Sequence, residues 1–329
     1  MEVLVTGITT RITQMLKIQY PILQGGLAYL AVSDLAAAVS NAGGLGQITA
    51  TSLRGAKDLR REISAVRGLT DKPFGVNIAV SQYHSVEEFV DVVLDEGVLV
   101  VTLTGGNPAP VLQRLTGSGI KTLVMISSVI QAKKAENLGA DAVIAVGQEG
   151  GGHIGRDDTG TFVLIPAVVD AVKIPVIASG GIADGRGLAA ALALGAEGIE
   201  MGTRFVATTE CAAHHDYKER LTQATPADTR VIKRSLGAPG RVLDGLWTRH
   251  IVDTESSGAP TEELHKLLTG ERNKTAVFHG DFEQGFAWAG QSVALIHSVK
   301  TVQDVINETV QEALLGQRRL AALFEREEI

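Results

Sequence analysis

The chain has 329 residues, 45% hydrophobic and 20% charged, so it can bury one large core or two smaller ones and is too apolar to be disordered or fibrous. Its formal net charge of -7 leaves no basic footprint for nucleic acid and points to a small neutral or anionic ligand. Cys211 is the single cysteine, which excludes an intramolecular disulfide; no signal-peptide layout opens the chain and no apolar run nears the about 20 residues that span a bilayer, so a cytoplasmic protein without membrane contact is expected.

Glycines end short β-branched runs and act as punctuation between elements. In chain order the first run is PILQG at 21–25, followed by SDLAAAVSNAGG at 33–44, where Ser33 or Asp34 stands to cap a helix that closes at Gly43–Gly44. Strand runs follow at 44–50 (GLGQITA) and 73–80 (PFGVNIAV). A helical pattern at 85–97 leads to VLVVTLTGG at 98–106, and another at 108–119 leads to KTLVMIS at 121–127. The helical stretch 128–139 precedes DAVIAVG at 141–147, the glycine-rich GQEGGGHIGRDD, and a helix at 165–172. PVIASGG at 175–181, a helix at 184–195 and GIEMGTRF at 198–205 complete the series. The runs do not alternate strictly between apolar and polar residues, as expected of strands covered on both faces. Eight such units over about 205 residues fit a closed (β/α)₈ TIM barrel better than a doubly wound open sheet. The expected division is a barrel over 1–214, a mostly helical insertion on the substrate side over 215–275, and C-terminal helices over 276–329 that pack back on the barrel.

Barrel active sites lie at the C-terminal ends of the strands. There the sequence offers Gln24, Gly25 and Gly26; Asn77; Thr104-Gly105-Gly106-Asn107; the stretch containing Gly152 and His153; Ser179, Gly180 and Gly181; and Gly202-Thr203-Arg204. Such glycines let a flat ligand approach the backbone closely. The seventh and eighth loops agree in position and type with the phosphate site that barrels build there, from the amides of Gly180, Gly181, Gly202 and Thr203. No GxGxxG with a following acid and no GxxxxGK[ST] stands in the right context, so a bound mononucleotide is expected rather than a dinucleotide fold or P-loop.

Other groups have plainer readings. Asp157 and Asp158 suit the start of the next helix, and no third ligand makes them a metal site. His214 and His215 fall at the start of the first helix after the barrel, without zinc spacing, so no metal is expected. Cys211 reads as a small buried residue. Trp247, Phe286, Trp288 and His297 either line the substrate side or pack the C-terminal helices. Lys233, Arg234 and Arg241 either greet an anionic substrate or carrier or form a solvated basic face.

YPILQGG, NAGGLG, KPFGVN, GQEGGGHIG, IPVIASGGIADGRG and ALGAEGIEMGTRF together resemble the FMN-dependent barrels that include nitronate monooxygenases (2-nitropropane dioxygenases) and flavin-dependent enoyl-ACP reductases. The resemblance runs to HGDFEQGFAWAGQ and covers most of the chain. It implies FMN as cofactor, with Gln24, Gly25, Gly26, Asn77 and Gly152 near the ring or ribityl chain, Ser179, Gly180, Gly181, Gly202 and Thr203 at the phosphate, and His153 facing the flavin as acid, base or positioning group. A histidine titrates near neutrality and can exchange a proton there.

The activity implied first is oxidation of a small-molecule nitronate with O₂ to a carbonyl compound and nitrite. The second is NAD(P)H-dependent reduction of an enoyl-ACP thioester; a homodimer is compatible with either. NAD(P)H:quinone reductases are a third reading, from which the chain departs at Met125 and at Gly150 or Gly151, where they have a lysine and a cysteine-containing loop. A non-catalytic flavin-binding barrel would leave His153 superfluous.

Overall fold

The computed structural model describes residues 7–80 and 86–324. Its strands in chain order are β1 (Ile22–Gln24), β2 (Gly46–Thr49), β3 (Phe74–Ala79), β4 (Val100–Thr104), β5 (Lys121–Ile126), β6 (Ala142–Val146), the two-residue β7 (Gly152–His153), β8 (Val176–Ser179), β9 (Gly198–Met201), β10 (Thr229–Ile232) and β11 (Gly240–Leu243). Eight of them form one parallel sheet in the order β1-β9-β8-β6-β5-β4-β3-β2. The parallel bridge Leu23↔Leu45, with Gln24 N donating to Leu45 O and Leu45 N to Ile22 O, joins β2 back to β1. The chain is therefore a (β/α)₈ TIM barrel.

The helices wrapping it are α2 (Ser33–Asn41), α3 (Ala56–Leu69), α4 (Val86–Asp95), α5 (Ala109–Leu115), α6 (Val129–Asn137), α7 (Thr161–Val169), α8 (Gly185–Ala193) and the single turn α9 (Thr203–Val206); α1 (Arg11–Leu16) precedes them. Strand parity separates two cores. Leu23, Val100, Leu123, Ile144 and Ile177 point into the barrel, and Ile12 and Leu16 of α1 plug its N-terminal end. Their chain neighbours Ile22, Val101, Val124, Val143 and Ala178 point outward, onto helix residues such as Leu35, Leu59, Ile63 and Phe89. Each fully buried Leu, Ile or Phe contributes about 1.5–3 kcal/mol relative to an exposed one.

Local detail departs from expectation at two helix starts. Neither Ser33 nor Asp34 caps α2: Ser33 is already its first helical residue, the preceding Val32 has no capping oxygen, and the Ser33 N–H donates to Glu62 Oε2 of α3 at 2.9 Å. α7 begins at Thr161, ahead of the expected 165, with Gly160 before it, so Asp157 and Asp158 lie in the loop rather than at its first turn. Ser85, expected to open α4, lies outside the described residues.

Past residue 214 come α10 (His215–Gln223), α11 (Leu246–Ser256), α12 (Thr261–Leu267), α13 (Gly270–His279) and α14 (Val302–Leu323). This part also carries an unannounced hairpin: β10 pairs antiparallel with β11, and β11 pairs antiparallel with β7. α14 returns to the barrel wall, where Glu312 Oε2 accepts from Gly185 N at 2.9 Å. Among the described residues no helix is long and apolar enough to cross a membrane.

Ile144 sits at 0% exposure inside the barrel, where neighbouring strands cannot collapse onto a void. Ile144→Ala should lower the unfolding free energy by about 2–5 kcal/mol. Urea titration should show a lower midpoint at unchanged slope.

Candidate active site

A cavity of about 900 Å³ opens at the C-terminal ends of the barrel strands. Gly25 and Gly26 form part of its wall: a Cβ on Gly26 would clash with Asn77 Oδ1 at 2.6 Å, and one on Gly25 would press on the carboxyl carbon of Glu200 at 3.3 Å. Gln24 is placed elsewhere. It is wholly buried outside the cavity lining, with Oε1 accepting from Gln47 N at 3.0 Å and its carbonyl accepting from Gln47 Nε2 at 2.8 Å, so it braces β1 against β2.

Beside this wall, Ser179, Gly180 and Gly181 after β8 and Gly202 and Thr203 after β9, the strand paired with β1, line the same cavity. Gly180 (φ 90°) and Gly181 (φ 76°) occupy the left-handed region that favours glycine. Thr161 fixes this loop by donating from Oγ1 to Gly180 O at 2.9 Å, while the Glu149 carboxylate accepts from Thr161 N. Asp184 already caps α8, accepting from Arg186 N and Gly187 N. An anion here would therefore meet the glycine-loop amides rather than the first turn of α8.

Gly152 and His153 complete the cavity. Their register opposite Arg241 and Gly240 makes the histidine loop one edge of the three-stranded sheet. Arg241 holds the loop from beneath: Nε and Nη2 donate to Gln148 O at 3.1 and 3.0 Å, and Nη1 to Thr229 Oγ1 at 3.1 Å. Behind the loop lies the C-terminal segment, so close that a Cβ on Gly151 would be 2.5 Å from Gly290 N; Gln291 N donates to Glu149 O at 2.8 Å. Lys233 comes from the turn after β10. Its Nζ lies 2.7 Å from His153 Nε2, and the imidazole stacks near Trp288 with ring centroids 5.1 Å apart.

Burial first, and the Lys233 charge second, lower the His153 pKa to about 4, so the ring is neutral at pH 7. The ring's edge reaches the open cavity, where water moderates the effect. The Lys233 ammonium then donates to the Nε2 lone pair and leaves Nδ1 as the N–H, although burial also holds the lysine below the ordinary range. The resulting arrangement couples a mobile proton to a fixed positive charge.

Glu200, on β9, is 3% exposed and borders the cavity. Its Oε2 accepts from Ser179 Oγ at 3.0 Å, and its Oε1 has no partner. Burial pushes its pKa up to about 7 against the opposing Ser179 hydrogen bond. A buried polar atom left unpaired costs about 1–3 kcal/mol, which a ligand hydrogen bond would recover. The glycine wall, the free carboxyl oxygen and the two glycine loops suit a flat, polyol-bearing phosphate ligand such as FMN.

Sequence reading missed Lys233 as the partner of His153 and missed Glu200 altogether. The signal for Glu200 was present, as an acid inside the apolar run GIEMG. Of the remaining candidates, Trp288 lines the cavity, Trp247 and Phe286 pack in a core beside the hairpin, and His297 is exposed. Arg156 lines the cavity and donates from Nε to Gly237 O at 2.7 Å; Arg234 pairs with Asp158 at 3.2 Å. His214 caps α10, and its ring lies with His215 and Asp216 in a surface cluster away from the cavity lining. Cys211 is buried, its thiol pushed up to about 11, which leaves it unreactive.

The model of the nitronate monooxygenase family matches residues 9–91 and 84–312. A probable nitronate monooxygenase of Staphylococcus saprophyticus is 32% identical, over 92% of this chain and 98% of its own. FabK from Thermotoga maritima superposes with a TM-score of 0.92 at 44% identity, covering 96% of this chain and 100% of its own. The nitroalkane oxidase of Streptomyces ansochromogenes gives a TM-score of 0.83 at 31% identity, covering 94% and 100%.

Replacing Lys233 with Met removes the smaller cause of the His153 shift and leaves the larger. An NMR titration of the His153 ring should show its midpoint rising from near 4 yet staying below the ordinary 6.5. An unchanged midpoint would mean that the ammonium does not act on the ring.

Proposed function

The chain belongs to the nitronate monooxygenase family and is an oxidoreductase, and from that premise we propose that it binds FMN and oxidises an alkyl nitronate with O₂ to a carbonyl compound and nitrite. The observation that carries this reading is the 2.7 Å contact of Lys233 with His153, which lines the cavity. A nitronate is an anion with its charge on the nitro oxygens, and an ammonium in a partly desolvated cavity attracts such a charge more strongly than it would in water.

FMN, when bound, supplies the two-electron acceptor that the substrate carbon requires and that dioxygen reoxidises. The chain's residues do the rest. Gly25, Gly26 and Asn77 leave room for the ring, and the loops at Gly180–Gly181 and Gly202–Thr203 hold the phosphate by backbone amides. Lys233 turns its protons toward the substrate oxygens. His153, neutral at pH 7, positions the substrate, and takes the proton from the carbon of a neutral nitroalkane at Nε2 once the Lys233 ammonium has turned from that nitrogen to the nitro oxygens. Trp288 bounds this side of the cavity and limits water.

A second reading, NAD(P)H-dependent reduction of an enoyl-ACP thioester through the same FMN, is favoured by the 44% identity to FabK over nearly the whole chain. In it the Lys233–His153 pair would deliver a proton to the substrate carbon beside the thioester carbonyl, and the Arg156 side of the cavity mouth would face the carrier.

Anaerobic mixing of the purified protein with propionate 3-nitronate should bleach the flavin absorbance; bleaching by NAD(P)H and none by the nitronate would replace the first reading with the second. His153→Ala should retain FMN and lose about 10²–10⁴-fold in turnover. A protein purified without any flavin would overturn both readings.

A further inference from the structure

We propose that Glu200 is a further cofactor-holding residue: its free carboxyl oxygen meets a hydroxyl of the ribityl chain, and its charge decides how tightly the phosphate-bearing cofactor is kept. The proposal rests on the FMN reading above and adds to it a residue and a pH response.

Placement carries the argument. Glu200 faces into the barrel, opposite Leu23 of β1 and Ser179 of β8 in the strand register. It stands two residues before Gly202, and its hydrogen-bond partner Ser179 directly precedes Gly180, so the carboxyl lies between the two loops that would hold the phosphate. The absent side chain of Gly25 opens the space above the carboxyl carbon. Oε1, on a residue that lines the cavity, is buried and has no partner, although neighbouring polar groups are satisfied: Gln24 and Gln47 bond each other, and Thr102 Oγ1 donates to Gln47 Oε1 at 2.5 Å. Such an orphan in a native interior calls for a ligand or a proton.

No charged group offsets this carboxyl. β1 brings Ile22, Leu23 and Gln24 against it, and β8 brings Val176 through Ser179, none of them ionisable. The other ionisable groups on the cavity wall, Lys134, His153, Arg156, Asp157 and Tyr217, make no contribution to its titration, which burial and Ser179 alone govern. As the neutral acid, Glu200 can donate from Oε1 to a hydroxyl oxygen or accept from a hydroxyl. As the carboxylate it repels the cofactor phosphate, which is dianionic above about pH 6.

The sign follows by linkage. A cofactor that binds the protonated form better raises the folded carboxyl's pKa further, from about 7 without ligand. Retention is then full below neutrality and weakens as pH rises, by up to about tenfold per pH unit until the ligand-bound pKa is passed.

The test is release of FMN on dilution of the purified holoenzyme, read as recovered flavin fluorescence at pH 6.5 and pH 9. The wild type should show at least about tenfold weaker retention at pH 9, and Glu200→Gln, which cannot ionise but keeps every other titrating group and the phosphate itself, should lose that step. Should Glu200→Gln fail to fold, Ser179→Ala removes the one interaction that lowers the carboxyl's pKa and should move the step to higher pH. Retention flat between pH 6.5 and 9 in a flavin-bearing wild type, or an unchanged step in Glu200→Gln, overturns the proposal and leaves the FMN reading intact. A protein without flavin at either pH overturns both.

Discussion

The site depends on one short piece of antiparallel pairing, that of β7 with β11. Residues 147–155 contain five glycines and could not hold a histidine in place by their own backbone preferences, because glycine loses more conformational freedom on ordering than any other residue. Opposition of His153 to Gly240 and of Gly152 to Arg241, with Ile154 N donating to Pro239 O at 3.0 Å, supplies the missing order. Arg241 adds a buried guanidinium on Gln148 O, a charge-assisted contact stronger than a neutral hydrogen bond. The segment Ala289–Gly290 closes the loop from behind. The histidine-bearing loop of the barrel is thus shaped by residues that come 80 and more positions later in the chain.

The same pairing accounts for the electrostatics. Bringing β10 and β11 to His153 also brings Lys233, whose backbone lies in the left-handed region (φ 65°), a conformation that costs a non-glycine residue about 1–3 kcal/mol and that persists only where the surroundings impose it. Here Glu255 Oε2 accepts from Lys233 N at 3.0 Å and fixes the turn. The cavity therefore has a histidine backed by the Lys233 ammonium and a carboxyl at Glu200.

What the sequence made legible follows from burial. Barrel strands covered on both faces read as continuous apolar runs ending in glycine, so all eight could be placed, and with them the loops at their C-terminal ends. The hairpin escaped because TRVI and GRVL are each four residues long and enclose KRSLGAP, which reads as a basic loop. The family resemblance names Gln24 beside Gly25; strand parity points Leu23 into the barrel and turns the Gln24 side chain away, where Oε1 accepts from Gln47 N. Parity would also have exposed Glu200, which alternates with the outward Ile199 and Met201. Ser33 failed as a cap because the favoured oxygen chemistry lost to a tertiary partner, Glu62, that no local window contains.

These contacts divide the labour between cofactor and substrate. Every group suited to the cofactor, from Gly25, Gly26 and Asn77 to Ser179, Glu200 and Thr203, belongs to a barrel strand or the loop directly after it, and these are constrained by the closed hydrogen-bonded sheet. His153 and Trp288, which line another part of the cavity, are held by the hairpin that brings Lys233 and by the segment after α13. Substitutions in the second group leave the barrel's ladder untouched, so the electron donor or acceptor can change while the cofactor site stays the same. That separation leaves the barrel-borne side of the cavity independent of the hairpin that sets His153 and Lys233.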